Sequence, residues 1–231
     1  GLNVPLFFSQ NDGTLMQSEF ASSYPVFTIA SGPTNSMRGA AFLSGVLDAV
    51  IIDIGGTSTD GGMLMRGFPR EAAVAVDVAG VRTNFRMPDV FSIALGGGSL
   101  IKQNPLKIGP ESVGFKLRSK GIVFGGDQLT ATDIAVASGI TQIGDPNLVG
   151  NIDSEFAESA INEIQTLVED VVDQLKTSVQ PVPVVLVGGG SILVKDNFEG
   201  ASDILRPTNA EVANAIGAAI SQVGGQVEKV Y

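Results

Sequence analysis

Apolar residues occur in two arrangements along this sequence, as short continuous runs and as longer stretches with helical spacing. The run AVIIDI at 49–54 is nearly continuous and rich in β-branched residues, which is typical of a strand buried on both faces. Residues 100–130 are interpreted as loop-rich, because Gly109-Pro110 and Gly125-Gly126 interrupt them. Other short apolar runs predict further strands at 6–8, 26–30, 63–65, 73–76, 91–95, 184–187 and 226–231.

Helices are predicted where apolar residues repeat at steps of three and four. Pro33 is well placed to open a helix that ends near Gly45. A short helix is expected at 132–138. The longest helix begins near Asp153, whose carboxylate can cap free backbone amides, and it stops before Pro181. Strands mixed with helices of this length indicate an α/β fold.

The last predicted helix follows a capping-box spacing, Thr208-x-x-Glu211, and is expected to end at Gly224-Gly225. Its apolar face is predicted to consist of Val212, Ile216, Ala219, Ile220 and Val223. No repeat, low-complexity run or linker divides the chain, so residues 1–231 are interpreted as one α/β region.

Charge and composition exclude several classes of function. The formal net charge of −10 and the pI near 4.4 oppose binding to nucleic acid or an anionic membrane. With no Cys and no His, the chain has no thiol nucleophile, zinc–thiolate site or Ser-His-Asp triad, and a metal would be a hard ion such as Mg²⁺. Charged residues make up only 16%, against about 25% in typical domains, so part of the surface is expected to contact a partner.

The sequence pattern also bears on location. The longest apolar stretch, at 182–194, is interrupted by proline and glycine and is too short to span a bilayer. No signal peptide is recognised, so the expected location is cytoplasmic. Because the sequence begins GLNV without Met, we expect it to be an excised or processed piece of a longer protein.

The run DIGGTSTDGG at 53–62 is the clearest chemical feature. A buried strand delivers Asp53, and two glycines let the backbone turn and approach a ligand closely. Hydroxyls and turn amides are suitable donors to a phosphate, and Asp53 and Asp60 are candidates to hold Mg²⁺ through water. The predicted phosphate-binding residues are Gly55, Gly56, Thr57, Ser58 and Thr59.

Two familiar phosphate motifs do not match this run. The Gly-Lys-Ser/Thr end of a Walker A loop is absent, and the GxGxxG pattern of a dinucleotide-binding turn is not matched. A strand-like segment at 63–65 follows instead of a helix, which predicts a hairpin. An ordinary glycine-rich hairpin with surface hydroxyls is the alternative interpretation.

Two glycine triplets, at 96–98 and 188–190, each follow an apolar strand. They leave room for a base or phosphate against bare backbone, or they make tight turns; ligands of α/β proteins lie at such strand ends. The helix start at 31–33 with Arg38 is a candidate anion site, with a plain helix entry as the alternative. Glu111 is interpreted as a solvated loop charge rather than a catalytic carboxylate.

These motifs, taken in order, resemble the hydantoinase A/5-oxoprolinase family of the actin-like ATPase superfamily. The resemblance covers nearly the whole chain and is carried by the segments 31–33, 38–41, 53–60, 96–99, 109–112, 187–190, 206–207 and 211–219. It implies an actin-like, ribonuclease H-like α/β ATPase fold, in which a mixed sheet is flanked by helices. It also implies that ATP and Mg²⁺ are the cofactors.

The resemblance further implies roles for individual residues. Residues 53–60 would correspond to the second phosphate loop, with Asp53 and Asp60 orienting Mg²⁺ or an attacking water. The turn that contacts adenosine would be formed by Gly188, Gly189 and Gly190. A preceding domain with the first phosphate loop is expected in the family and is absent here. The chain would therefore be the second half of a two-domain ATPase, inactive in isolation.

The function implied by the resemblance is ATP-dependent opening of a cyclic amide of the hydantoin or 5-oxoproline type. Residues 118–126 (RSKGIVFGG) depart from the GPACYG segment of many members, which leaves the substrate class open. The alternatives are a subunit of an ATP-dependent ketone carboxylase and a nucleotide-binding scaffold without catalysis. Expected partners are the small-molecule substrate, the missing domain, and a second subunit or a further copy of the chain.

Overall fold

The computed structural model describes residues 4–72, 77–78, 80–82, 87–196 and 199–224. The strands predicted at 73–76 and 226–231 lie outside the described residues. The strands are β1 (Phe7–Ser9), β2 (Leu15–Gln17), β3 (Ala49–Ile54), β4 (Thr59–Met65), β5 (Phe68–Pro69), β6 (Asp77–Val78), β7 (Val81–Arg82), β8 (Val90–Ile93), β9 (Ser99–Lys102), β10 (Lys107–Ser112), β11 (Val182–Val187) and β12 (Ala201–Leu205). The helices are α1 (Ser18–Ser23), α2 (Ser31–Ser44), α3 (Leu117–Lys120), α4 (Ala131–Ala137), α5 (Ser154–Leu175) and α6 (Ala213–Ile220).

A six-stranded mixed sheet forms the centre of the described chain. Its order is β12, β11, β3, β4, and both β5 and β8 pair with the far side of β4. Strands β12, β11 and β3 are parallel, whereas β4 is antiparallel to β3, β5 and β8. The hairpin predicted from the glycine-rich run is thus confirmed as β3 and β4. The carboxyl ends of β3 and β11 lie side by side at one edge.

Strand β3 separates two apolar layers because successive side chains of a strand point to opposite faces. Val50, Ile52 and Ile54 belong to the core under α5, while Ala49 and Ile51 belong to the core under α2 and α6. All five side chains are buried. The prediction of a strand buried on both faces is confirmed.

The long helix is well marked by its sequence. Helix α5 covers Ser154–Leu175, and Asp153 Oδ1 accepts a hydrogen bond of 2.9 Å from the Phe156 amide, so the predicted cap is confirmed. Helix α2 contains Pro33 in its first turn and ends at Gly45, whose φ is 72°, as predicted.

One segment differs from its prediction, and a second contains strands that the sequence pattern did not predict. Residues 25–28 form a 3₁₀ helix, Pro25–Thr28, instead of the predicted strand at 26–30, since Pro25 fixes the φ angle that opens a helical turn. Residues 100–130, predicted to be loop-rich, also contain most of the antiparallel hairpin formed by β9 and β10. Other 3₁₀ helices are Gly114–Lys116, Ile122–Phe124, Pro146–Val149, Gly189–Leu193 and Ala210–Val212.

The prediction for the last helix is wrong at its start and its end. Asn209 adopts a left-handed conformation before a 3₁₀ turn, so no Thr208–Glu211 capping box forms. Helix α6 begins after this turn and ends at Ile220, four residues before the predicted stop at Gly224.

The predicted apolar face of this helix is also wrong. Ala213 and Gly217 are the buried residues of α6, whereas Val212 is 45% exposed. Helix α2 approaches so closely that only the smallest side chains fit between the two helices.

No helix in the described part of the chain is long and apolar enough to cross a membrane.

Candidate functional site

The predicted chemical residues meet where β3 and β11 end. These strands pair in parallel with Val187 opposite Asp53, so the loops that follow them lie together. A Cβ atom added at Gly188, whose φ is +83°, would lie 2.3 Å from Asp53 Oδ1. One added at Gly190 would lie 2.6 Å from the Gly55 carbonyl oxygen. The segments 53–56 and 188–190 can therefore touch only because these positions are glycine.

The other glycine triplet packs against the turn at 55–58. The amide of Gly97 donates to the Gly55 carbonyl at 3.0 Å, and the amide of Gly98 donates to the Gly56 carbonyl at 2.8 Å. A Cβ atom at Gly96 would lie 2.4 Å from the Thr57 nitrogen. This triplet supports the turn through its backbone, so it serves as a tight turn and not as open space for a ligand.

These bonds leave donors unpaired at the tip of the turn. The Gly55 amide donates to the Ser58 carbonyl at 2.9 Å. Within the described residues, the amides of Gly56, Thr57 and Ser58 have no acceptor. Gly56 and Thr57 are exposed, and a Cβ atom at Gly56 would meet nothing within 4 Å. Three free amides on an exposed turn are the kind of donor group that binds anions.

Thr59 does not face the turn, contrary to the prediction from the sequence. Its side chain is fully buried, and its hydroxyl donates to the Leu95 carbonyl at 2.7 Å. Thr59 belongs to β4 directly before Asp60, so the two side chains point to opposite faces of the sheet. The Thr59 hydroxyl therefore links β4 to the segment that follows β8 through a hydrogen bond.

Asp53 and Asp60 are directly opposite each other in the β3–β4 ladder. Opposed residues of an antiparallel pair place their side chains on the same face, here the face covered by α2. The Ser36 hydroxyl donates to Asp53 Oδ2, and the Ser92 hydroxyl of β8 donates to Asp60 Oδ1. Both carboxylates are thus oriented by a serine, each from a different neighbouring element.

The environment of Asp53 disfavours its charge. Burial raises the pKa of the Asp53 carboxyl above its ordinary value. The hydrogen bond from Ser36 partly opposes this rise, and the negative charge of Asp60 adds to it. A cation beside the two carboxylates would offset the repulsion between them, so the local electrostatics suit a bound metal ion.

The donor set fits Mg²⁺ in a restricted sense. No group of three or more metal-ligating side chains occurs among the residues described. Mg²⁺ commonly takes only one or two protein carboxylates and completes its shell with water and substrate phosphates. Asp53 and Asp60 supply that number, so they fit a Mg²⁺ ion shared with a phosphate ligand.

The triplet at 188–190 offers one open position. A Cβ atom at Gly188 or Gly190 would collide with residues 53–55 at the end of β3. Gly189 is exposed, and a Cβ atom there would meet nothing within 4 Å. The Gly188 amide donates to the Ala210 carbonyl at 2.9 Å, which ties the triplet to the segment before α6. A planar ligand group can therefore approach the backbone at Gly189.

Two further candidates are engaged elsewhere. Arg38 donates to the Gly67 carbonyl at 2.7 Å and lies over the Phe68 ring, so its guanidinium is bound at the turn between β4 and β5. Glu111 is exposed and pairs with Lys102 at 3.2 Å. The solvated loop charge predicted for Glu111 agrees with this position.

Ser36 and Asn214 also belong to the site. Ser36 lies in no motif, and Asn214 lies in the segment 211–219, which carries the family resemblance but predicts no role for this residue. The Asn214 side-chain amide donates to the Gly32 carbonyl at 2.8 Å and to Ser36 Oγ at 3.2 Å. A sequence signal for the role of Ser36 was its position in α2. It lies about one helical turn from Gly39 and Ala40, so it shares their face of the helix, which consists of small buried residues. A fully buried hydroxyl on such a face requires a polar partner.

Fold and site together define an α/β protein in which glycine-rich segments meet at the carboxyl ends of two adjacent parallel strands. The family model for hydantoinase/oxoprolinase matches residues 1–175. The chain belongs to the hydantoinase/oxoprolinase family. Gly188, Gly189, Gly190 and Asn214 lie beyond the matched range.

Three similar proteins are each longer than this chain. The uncharacterized protein MJ0964 of Methanocaldococcus jannaschii is 24% identical in an alignment of 194 positions that covers 76% of this chain and 28% of that protein. Nucleotide-free acetone carboxylase is 20% identical with a TM-score of 0.74, covering 96% of this chain and 36% of that one. An ATP-dependent caprolactamase from Pseudomonas jessenii is 19% identical with a TM-score of 0.71, covering 96% and 37%.

These similarities establish two facts. The predicted α/β class with a mixed sheet flanked by helices is confirmed, and the fold is shared with acetone carboxylase and the caprolactamase. The chain spans between about a quarter and two fifths of the length of the proteins that it matches, as the shares of 28%, 36% and 37% give.

Proposed function

We propose that this chain forms one wall of a nucleotide site and takes part in an ATP-dependent reaction that phosphorylates a carbonyl oxygen of a small molecule. The observation that carries the proposal is the turn at 55–58, which has three unpaired amides next to the Asp53–Asp60 pair. Free donors and carboxylates within one turn suit a phosphate and its cation better than they suit an ordinary hairpin.

In this proposal the turn contacts the transferred phosphoryl group. The amides of Gly56, Thr57 and Ser58 would donate to its oxygens, with the Thr57 and Ser58 hydroxyls beside them. Such fixed donors stabilise the charge on the equatorial oxygens in the transition state without reorganising. The exposed backbone of Gly189 would contact the adenosine part, since it follows the next strand of the sheet.

Asp53 and Asp60 would hold Mg²⁺, and Asp53 Oδ1 is the oxygen left free by the Ser36 hydrogen bond. When bound, Mg²⁺ supplies positive charge to the phosphate oxygens of ATP. The carboxylates would orient that charge, and in the hydrolytic branch they would also position the attacking water.

The proposed chemistry has three steps. The carbonyl oxygen of a cyclic amide attacks the γ-phosphorus of ATP, the bond to the bridging oxygen breaks, and ADP leaves. Water then adds to the activated carbon, and the ring C–N bond breaks to give an amine and an acyl phosphate on one open chain. A second water hydrolyses the acyl phosphate to a carboxylate and free phosphate. The sum converts cyclic amide, ATP and two waters to the amino carboxylate, ADP and phosphate.

A cyclic amide is the substrate class that we favour. Support comes from membership of the hydantoinase/oxoprolinase family and from the fold shared with an ATP-dependent caprolactamase. The second candidate is a subunit of an ATP-dependent ketone carboxylase, in which bicarbonate would follow phosphorylation. The support for this second candidate is the fold shared with acetone carboxylase, an enzyme of ATP-dependent acetone carboxylation, at a TM-score of 0.74.

The test measures ADP release with three sets of substrates: 5-oxoproline, hydantoin, and acetone with bicarbonate. Because the matched proteins are longer, the assay uses the full-length parent protein together with any copurifying subunit. Stimulation by a cyclic amide supports the first function, and stimulation by ketone and bicarbonate supports the second. Binding of ATP without turnover on any of them would support a nucleotide-binding scaffold, and absence of ATP binding would overturn the proposal.

A further inference from the structure

A chain of two hydrogen bonds joins α6 to Asp53 through α2. Asn214 of α6 donates to Ser36 Oγ at 3.2 Å, and the Ser36 hydroxyl donates to Asp53 Oδ2. Ser36 is fully buried, so its hydroxyl relies on these two partners and not on water. Consecutive bonds of this kind polarise one another, since the central hydroxyl is both acceptor and donor.

The direction of this relay is fixed by chemistry. A side-chain amide nitrogen has two N–H groups and no acceptor capacity. One N–H of Asn214 is used on the Gly32 carbonyl at 2.8 Å, and the other points to Ser36. Ser36 accepts this bond, so its own proton is directed at the carboxylate. Asp53 is thereby held as an acceptor at Oδ2.

The two helices that carry the relay are packed against each other through their backbones. A Cβ atom at Gly39 would lie 1.9 Å from the Ala213 carbonyl oxygen, and one at Gly217 would lie 1.8 Å from the Asn35 carbonyl oxygen. Helices in such close contact cannot slide past each other without opening the interface. The position of Asn214 relative to Ser36 is therefore set by the packing of α2 on α6.

We propose that Ser36 and Asn214 are positioning residues for Asp53. They hold Oδ2 toward α2 and thereby leave Oδ1, beside Gly188, as the oxygen that faces the ligand. The inference rests on the proposed function, because the orientation of the Asp53 carboxylate matters only if Asp53 holds Mg²⁺ beside a bound nucleotide. It adds two residues to the site, one of which lies beyond the segment matched by the family model.

The experiment compares Ser36→Ala, Asn214→Ala and the double variant by calorimetric titration of the full-length protein with ATP, with and without Mg²⁺. Ser36→Ala is expected to weaken Mg-ATP binding about tenfold, the effect of losing a hydrogen bond to a charged group. Binding of Mg-free ATP is expected to stay within about twofold, since Asp53 acts on the nucleotide only with the cation. Ser44→Ala is the matched control, because its hydroxyl donates to the Ala40 carbonyl in the same helix.

The double variant tests whether Asn214 acts through Ser36. Asn214→Ala should weaken Mg-ATP binding in the unmodified protein and have no further effect in Ser36→Ala. Additive effects, or equal losses with and without Mg²⁺, would assign both residues a merely structural role and overturn the inference. So would unchanged binding in Ser36→Ala or in Asn214→Ala.

Asp53→Asn separates this inference from the function beneath it. If Asp53→Asn loses Mg-ATP affinity and Ser36→Ala keeps it, the inference fails and the proposed function stands. If Asp53→Asn keeps full affinity, or the unmodified protein binds no nucleotide, the proposed function fails and the inference fails with it.

Discussion

Asp53 has a position that opposes its own ionisation. Its carboxyl is partly buried at the end of β3, directly opposite Asp60, and no described basic side chain forms a salt bridge with it. Burial raises its pKa, and the Asp60 charge raises it further against the opposing bond from Ser36. A residue placed for stability would not combine these features, whereas a residue that receives a cation would.

This raised pKa predicts how stability depends on pH. The folded protein binds the Asp53 proton more tightly than the unfolded chain does, so the free energy of unfolding falls as pH rises from the unfolded to the folded pKa. Asp53→Asn removes that loss and keeps the shape of the side chain. We therefore expect the variant to be more stable than the parent at pH 7, as measured by urea unfolding, and to bind Mg-ATP at least about tenfold more weakly.

The same two proteins compared at about pH 3, below the ordinary carboxyl pKa, provide the control. There Asp53 is largely protonated in both states, so the gain in stability from Asp53→Asn should be much smaller. A variant that is less stable than the parent at pH 7 would contradict the assigned environment of Asp53.

Adjacent glycines at 188 and 189 have very different surroundings. An alanine at Gly188 would bring Cβ within 2.3 Å of Asp53 Oδ1 and of the Ile54 carbonyl oxygen, at a φ of +83°. We expect Gly188→Ala to lower the free energy of unfolding by about 1–3 kcal/mol, because overpacking and a strained φ act together. It should also displace Asp53 and weaken Mg-ATP binding.

Gly189→Ala is the matched control for Gly188→Ala, since nothing lies within 4 Å of its added Cβ. Urea unfolding should find its stability within about 0.5 kcal/mol of the parent. If Gly189→Ala destabilised the protein as much as Gly188→Ala, the close contact between the triplet and β3 would not be the cause.

At the scale of elements, those with a strong local signal were easier to predict than the surfaces between helices. The run at 49–54 marks β3 by composition, and the Asp153 cap marks the start of α5, because both signals are local. The buried face of α6 is not local. Its hydrophobic residues suggest an apolar face, yet the contact with α2 selects Ala213 and Gly217, since backbone approach excludes larger side chains.

Gly217→Ala should therefore be destabilising although alanine is the better helix former. The added Cβ would lie 1.8 Å from the Asn35 carbonyl oxygen, so α6 must move away from α2. We expect a loss of about 2–3 kcal/mol in the free energy of unfolding, at the upper part of the range for overpacked cores. Thermal or urea unfolding of the purified variant measures it.

Gly32→Ala, in the first turn of α2, provides the comparison at the same interface. A Cβ atom added at Gly32 would have the Asn214 side-chain nitrogen as its nearest neighbour, at 4.0 Å, so alanine fits there. The variant should be neutral or stabilised by up to about 1 kcal/mol, as expected for replacing a helical glycine. Equal losses in both variants would contradict the assignment of Gly217, and not Gly32, as the point of closest approach.

At the scale of the whole molecule, the sequence was sufficient for the fold class and for most of the residues that gather at the site. Asp53, Gly56 and Gly188 come together because parallel strands end at a common edge, a rule that needs no coordinates. The sequence was not sufficient for Thr59, whose direction depends on the ladder register between β3 and β4. Ser36 and Asn214 required the packing of two helices, because these side chains meet across a sequence separation of 178 residues.

Mg-ATP binding provides the prediction for the whole molecule. A ligand that binds only the folded state adds RT ln(1 + [L]/Kd) to its stability, about 2.7 kcal/mol at 100 times Kd. For a chain of 231 residues this corresponds to a rise in Tm of about 5–10 °C. The measurement is a thermal unfolding scan with and without Mg-ATP, repeated with Asp53→Asn.

The comparison with Asp53→Asn decides how a shift is interpreted. A shift that depends on Mg²⁺ and disappears in the variant would assign nucleotide binding to the turn at 55–58 and the Asp53–Asp60 pair. An equal shift in both proteins would place the nucleotide elsewhere and contradict the proposed site. Because the matched proteins are longer, the scan is made on both this chain and the full-length parent protein. A shift seen only in the full-length protein would mean that a second wall of the site is needed for affinity. The three amides and two carboxylates of this chain contact the phosphate from one side only and leave its far side in water.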